Sequence, residues 1–192
     1  MLDAIKNRIR QNILMKQEML EDEVLLQVIA DIVQVITETF RTGGKVLFCG
    51  NGGSAADAQH LAAELSGRYY LDRAPLYAEA LHVNSSFLTA VANDYGYREV
   101  FARMVAAKAQ RGDVLMAFST SGNSENIIAA IRQARKEQMT VVGFTGATGG
   151  EMAKLCDYLI RMPSSDTPRI QEGHILVGHI ICEQVEAAMF GE

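Results

Sequence analysis

In the stretch CGNGGSAADAQHLAAELSGR, Cys49 to Arg68, a histidine and a glutamate stand four residues apart at His60 and Glu64. On a helix that spacing projects both side chains from one face, one above the other. Such a pair is most often a solvated or capping pair. The flanking Leu61, Ala62, Ala63 and Leu65 make burial of this helix plausible, and a partly buried carboxylate with a raised pKa is a suitable general base. A second group of candidates lies in RIQEGHILVGHIICEQ, which holds Gln171, Glu172, His174 and His179. His179 sits beside Ile180 and Ile181 on an apolar helix, where a lone histidine is more often a core residue than a catalyst. Spacing leaves Gln171 and Glu172 both open as its companion, although a separation of seven aligns better on a helix than one of eight.

Two glycine- and hydroxyl-rich stretches offer anion-binding chemistry. Gly50, Gly52 and Gly53 follow an apolar run and precede a helical one. The backbone there can turn sharply and aim N–H groups at a ligand on the helix N-terminus. Ser54 with Asp57 three residues on fits a variant capping box and supports a helix start at Ser54. The turn is neither a Walker A loop nor a dinucleotide GxGxxG, and a plain tight turn explains it too. The second stretch, FSTSGNSEN, gathers Ser119, Thr120, Ser121 and Ser124 around Gly122 ahead of IIAAIRQARK. Hydroxyls and free amides with no Lys or Arg among them suit a phosphate monoester held by hydrogen bonds and a helix dipole. The competing account is a Ser/Asn-rich turn with ordinary N-capping.

The elements that must position these groups alternate along the chain. Two amphipathic helices come first, one carrying Leu2, Ile5, Ile9 and Ile13, the other Leu25 through Phe40, before TGG ends it. Strands are expected at KVLFCG, LYAEAL, DVLMAFS, MTVVGFTG and DYLIRMP. Helices are expected over 54–67, 85–92, 99–109, 124–138, 150–155 and 168–189. Apolar strands separated by helices predict an α/β fold, a doubly wound parallel sheet covered on both faces. Ligands of such sheets bind at the carboxyl ends of the strands, where both loops fall. We read residues 1–192 as one domain, with N-terminal helices over 1–42 and an α/β core over 43–192. The leading helices either pack on another subunit or extend the core of their own chain; the sequence leaves both open.

Composition narrows the function classes. The 192 residues are 48% hydrophobic and 21% charged, the balance of one soluble globular domain. A net charge of −5 gives no overall footprint for nucleic acid or an anionic membrane, so any anion site must be local. Cys49, Cys156 and Cys182 are odd in number and lack CxxC spacing, which predicts reduced thiols in a cytoplasmic protein. The first residues interleave acids and bases among the apolar positions, so neither a signal peptide nor a membrane span is expected.

Four ordered motifs, GNGGSAADAQHLAAELSGR, AVANDYG, FSTSGNS and TPRIQEGHILVGHII, resemble those of the sugar isomerase (SIS) domain family, and within it the phosphoheptose isomerases. The resemblance covers nearly the whole chain, including the leading helices. It implies a flavodoxin-like SIS domain with an N-terminal helical extension, a homotetramer, and active sites built at subunit boundaries. It also implies aldose–ketose isomerisation of sedoheptulose 7-phosphate to D-glycero-D-manno-heptose 7-phosphate through an enediol, a step toward nucleotide-heptose and lipopolysaccharide synthesis. Carried over motif by motif, Asn51, Gly52, Gly53, Asn93, Asp94 and Gln171 contact the sugar, and Ser119, Thr120, Ser121 and Ser124 hold the phosphate. Glu64 becomes the base and His179 the acid. The resemblance further implies a zinc ion on His60, Glu64, Gln171 and His179, although glutamine is an uncommon zinc ligand and a metal-bound Glu64 is a poorer base. The chain departs from many relatives in carrying Ala63 before Glu64, in Pro168, and in its HVNSSFL segment.

A non-enzymatic branch of the same fold, which binds the DnaA replication initiator, resembles this chain in both loops and in the RIQE segment. That branch lacks the glutamate and the late histidine present here as Glu64 and His179. A sugar-phosphate-sensing module, a third reading, needs the loops but not the acid–base pair.

Overall fold

The computed structural model describes residues 1–191. The chain opens with α1 (Leu2–Glu21) and α2 (Glu23–Arg41), separated only by Asp22. The Asp22 carboxylate accepts from the N–H groups of Val24 and Leu25, so one residue both ends the first helix and caps the second. Then follow β1 (Val46–Cys49), α3 (Gly53–Ser66), β2 (Ala78–Ala80), α4 (Ser85–Tyr95), α5 (Val100–Lys108) and β3 (Val114–Phe118). The remainder is α6 (Glu125–Lys136), β4 (Thr140–Thr145), β5 (Tyr158–Arg161) and the 24-residue α7 (Thr167–Phe190).

All five strands are parallel, in the order β2-β1-β3-β4-β5. This is the doubly wound, flavodoxin-like order, whose direction of winding reverses between β1 and β3. Alternate residues of each strand enter opposite cores because side chains on a strand have a period of two. Val46, Phe48, Met116, Phe118, Val142 and Phe144 face the layer of α2, α3 and α7. Leu47, Cys49, Leu115, Ala117 and Val141 face the layer of α4, α5 and α6. At the amino edge of the sheet the buried Lys45 and Asp113 pair at 2.6 Å, and Asp113 also accepts from the Lys45 and Gln110 N–H groups.

The two leading helices are buried to different extents. α2 extends the core of its own chain through Leu25, Ile29, Ile32, Ile36 and Phe40. α1 buries only Met15 and Met19, and its stripe of Leu2, Ile5, Ile9 and Ile13 faces outward.

Three local expectations are corrected. α3 starts at Gly53, with Gly52 in the cap position at φ 55° and no side-chain cap bond, so the Ser54/Asp57 box does not form. Gly52 takes the positive φ that lets the chain leave β1 and enter the helix within three residues. The segment expected as a helix over 150–155 is a 3-10 turn, Glu151–Lys154. α4 runs on to Tyr95, which puts Asn93 and Asp94 in its last turn.

Candidate active site

The winding reversal between β1 and β3 brings the two anion-type loops side by side, because consecutive crossovers there leave in opposite directions. In the loop after β3, Ser119 Oγ lies 2.9 Å from Ser124 Oγ and 3.4 Å from Ser121 Oγ. The Asn123 N–H donates to Ser121 Oγ. Ser124 occupies the cap position of α6 but its hydroxyl makes no cap bond, so ordinary N-capping does not account for this loop. Gly122 has φ +68°, and a Cβ there would lie 2.2 Å from the Gly149 carbonyl oxygen; no other residue fits. Beside the loop a cavity of about 300 Å³ is walled by Thr120, Ser121, Asn123, Thr148, Ser165 and Thr167. Its lining is rich in hydroxyls and has no charged side chain, which suits an anion bound through hydrogen bonds and the α6 N-terminus.

α3 and α7 run side by side in the same direction, with Gln171 against Gly53 and Gly178 against Leu61. Along this seam His60 Nε2 lies 2.9 Å from Glu64 Oε1 and 3.5 Å from His179 Nε2. One donor atom from each of His60, Glu64 and His179 falls within 4.8 Å of the other two. The Glu64 side chain is 23% exposed and that of His60 51%, so the group is open to a ligand on one side. Gln171 is placed differently from the other three expected zinc ligands. Its amide packs where a Cβ of Gly53 would stand, roughly 10 Å back along α3 from His60. In this position Gln171 packs against the turn after β1.

The turn after β1 is held from within. Asn51 exchanges two hydrogen bonds with the side chain of Asn126, at 2.9 and 2.8 Å, and accepts a third from the Tyr97 hydroxyl at 3.1 Å. Asn93 and Asp94 are exposed and bonded to each other at 2.8 Å. Tyr97, just beyond them, ties their segment to the turn. The turn of Asn51, Gly52 and Gly53 with Gln171 thus stands at one end of the seam and the His60, Glu64 and His179 group at the other, with the Asn93–Asp94 segment tied to the turn through Tyr97.

The SIS domain profile matches residues 11–146. The phosphoheptose isomerase of Aneurinibacillus thermoaerophilus is 50% identical over 190 residues, 99% of this chain and 96% of that one. The chain belongs to the phosphoheptose isomerase family of SIS domain proteins. The Rhodospirillum rubrum member is 58% identical over 161 residues, 84% of this chain and 86% of that protein. The solved phosphoheptose isomerase of Neisseria gonorrhoeae superposes with a TM-score of 0.91 at 39% identity, covering 97% of this chain and 98% of the other.

In this member of the phosphoheptose isomerase family, several side chains that the sequence reading passed over hold the site in place. Arg73 donates to the carbonyls of Glu64, Leu65 and Gly67 at the end of α3 and to Glu186 on α7 at 2.9 Å. The Arg73 and Glu186 side chains are each 3% exposed. Burial would raise the Glu186 carboxyl. The N–H groups of Leu71, Tyr69 and Tyr70 and the Arg73 guanidinium hold it below the usual carboxylate range instead. This clamp joins the two helices that carry Glu64 and His179. The carboxyl that burial pushes up is Asp57, to about 6, against the opposing effect of His60.

His174, not His179, is the core histidine. It is fully buried among Phe118 and Phe144, and its Nε2–H donates to the Thr145 carbonyl. Burial lowers it to about 4, opposed by that bond. Asn126 and Glu186 carried a readable signal: each is a polar residue on the apolar face of a helix, a position kept polar only when something inside satisfies it. Arg73 and Tyr97 gave none.

The three cysteines are free, and among the described residues no helix is long and apolar enough to cross a membrane.

Proposed function

We propose that this chain isomerises sedoheptulose 7-phosphate to D-glycero-D-manno-heptose 7-phosphate, with Glu64 as base and His179 as acid. The observation that carries the residue assignment is the convergence of Glu64 and His179, from two different helices, on one group open to a ligand on one side. The phosphate sits against Ser119, Thr120, Ser121 and Ser124 and the N-terminus of α6. The sugar then extends along the seam past Asn51, Gly52, Gly53 and Gln171, with Asn93 and Asp94 nearby.

The reaction exchanges a C2 carbonyl for a C1 carbonyl without net redox change. Glu64 removes a proton from C1; the C–H electrons form the C1=C2 bond of a cis-enediol, and the C2 carbonyl oxygen takes up a proton. Return of a proton to C2 and loss of the C1 hydroxyl proton give the aldose. Glu64 Oε1 faces His60, which leaves Oε2 for the carbon-bound proton. His179 moves protons at the two oxygens.

The donor set fits a zinc ion: two imidazole nitrogens and a carboxylate oxygen lie close together with one side open, as in catalytic zinc sites with three protein ligands. His60, Glu64 and His179 would hold it, with Gln171 the fourth residue that the family resemblance implies. A bound zinc would polarise a sugar oxygen and lower the cost of the enediolate charge.

The outward apolar stripe of α1 supports association of copies of this chain into the homotetramer implied by the family. The free thiols fit a cytoplasmic setting, and nucleotide-heptose synthesis would follow from the product. The initiator-binding reading is not favoured, because close relatives along the whole chain are isomerases. An NMR time course with sedoheptulose 7-phosphate in deuterated buffer, with chelator and with added zinc, tests the proposal. Heptose 7-phosphate carrying deuterium at C2 supports the enediol route, and loss of turnover with chelator supports the metal. No product from folded protein under any metal condition overturns it.

A further inference from the structure

We infer that Asn126 is a positioning residue for the isomerase reaction, orienting Asn51 and locking the sugar-side turn to the phosphate loop. The inference rests on the isomerase reading above. Asn126 stands in the first turn of α6, two residues after Ser124, and is 4% exposed. The Ile127 N–H donates to Asn126 Oδ1 at 3.0 Å. A backbone N–H can only donate, so this bond fixes which end of the Asn126 amide is oxygen. Asn126 Nδ2 must then face Asn51 Oδ1, at 2.8 Å, while Asn51 Nδ2 donates back at 2.9 Å. The orientation of Asn51 is thus inherited, through two amides, from the backbone of α6.

The capacity of these groups is nearly used up. Asn51 Oδ1 accepts from Asn126 and from the Tyr97 hydroxyl, and Asn126 Oδ1 from Asn51 and Ile127. Asn51 keeps one side-chain N–H for a ligand, and no free acceptor. Its side chain therefore presents only a donor to a sugar oxygen. Because Asn126 belongs to the helix whose N-terminus faces the phosphate, the same pair sets the distance between the phosphate end and the sugar end of the site. Tyr97 brings the segment after Asn93 and Asp94 into that register.

Kinetics of Asn126→Ala, Asn51→Ala, the double variant and Tyr97→Phe test this, with inorganic phosphate inhibition as the probe of the phosphate loop. Asn126→Ala should lower kcat roughly 10- to 100-fold, with KM and phosphate inhibition within about threefold. The double variant should be no slower than Asn51→Ala alone, since Asn126 acts through Asn51. Tyr97 is 52% exposed, so Tyr97→Phe keeps the fold and should lose kcat by a smaller factor, about 3- to 10-fold. If Asn126→Ala fails to fold, Tyr97→Phe decides alone, and full kcat in that variant overturns the inference. Unchanged kcat with a lowered Tm in Asn126→Ala, or losses that multiply in the double variant, also overturn it. No turnover by the unsubstituted protein would instead remove the isomerase reading, and the inference with it.

Discussion

The seam between α3 and α7 is closed at Gly178, and a single methyl there should disturb the chemistry at the next residue, His179. A Cβ on Gly178 would stand 2.4 and 2.7 Å from the two δ-carbons of Leu61, where ordinary carbon contacts need ~3.5–4.0 Å. Leu61 is fully buried in a closely packed core, so the expected response is a displacement of α7 from α3 by about 1 Å. Overpacking of this kind costs about 1–3 kcal/mol, offset by the gain of about 1 kcal/mol for Ala over Gly in a helix. The close double contact argues for the upper end, leaving a net loss of about 1–2 kcal/mol. That corresponds to a Tm lower by about 2–8 °C in a chain of this size. Turnover should fall much further, by about 100-fold, since a displacement of about 1 Å breaks the alignment of reacting groups. Gly178→Ala is compared with the unsubstituted protein by thermal unfolding and by NMR-monitored conversion of sedoheptulose 7-phosphate. Adding Leu61→Val, which removes both δ-carbons, should recover most of the lost turnover. Turnover within twofold of the unsubstituted protein in folded Gly178→Ala would refute the claim that this contact sets the spacing of Glu64 and His179.

Three further outcomes follow from the same geometry. Glu64→Gln should lower kcat by about 10²–10⁴-fold while calorimetric binding of the sugar phosphate changes by a few fold; retained turnover would remove Glu64 as the base. His174 is held neutral, lowered from 6.5 to about 4, so the unfolded chain takes up its proton first as pH falls. Its contribution is intact above pH 6.5 and is lost progressively toward pH 4, by up to about 3 kcal/mol. Asp57, raised to about 6, acts in the opposite sense over much of that window, so the measurement is the difference in urea stability between the unsubstituted protein and His174→Gln at pH 7 and pH 5. An equal difference at both pH values would contradict it. Replacing Ile9 and Ile13 on the outward stripe of α1 by Asp should reduce the mass seen by light scattering to that of a smaller species with unchanged helicity, and an unchanged mass would exclude this face as the interface.

The sequence by itself determined the order and kind of nearly every element, because apolar runs and helical periodicity are local signals that the sheet merely gathers. It also determined the chemistry available: hydroxyls without cations in FSTSGNSEN, and a His/Glu pair at helical spacing. His60 with Glu64 was legible because both lie on one helix. The approach of His179 to them came from the family resemblance and not from spacing, since it depends on α3 and α7 lying side by side, which the Gly178–Leu61 contact permits. The apolar neighbours Ile180 and Ile181 pointed to His179 as a core histidine, and packing gave that place to His174 instead. The misread helix start at Ser54 has a similar cause: a positive φ at Gly52 lets the helix begin one residue early, and a capping pattern does not report backbone conformation. Tertiary structure alone paired Asn51 with Asn126 and Arg73 with Glu186, separated by 75 and 113 residues. Their partners are chosen by the winding reversal between β1 and β3 and by the approach of α7 to α3, neither of which is written in any short stretch of the chain.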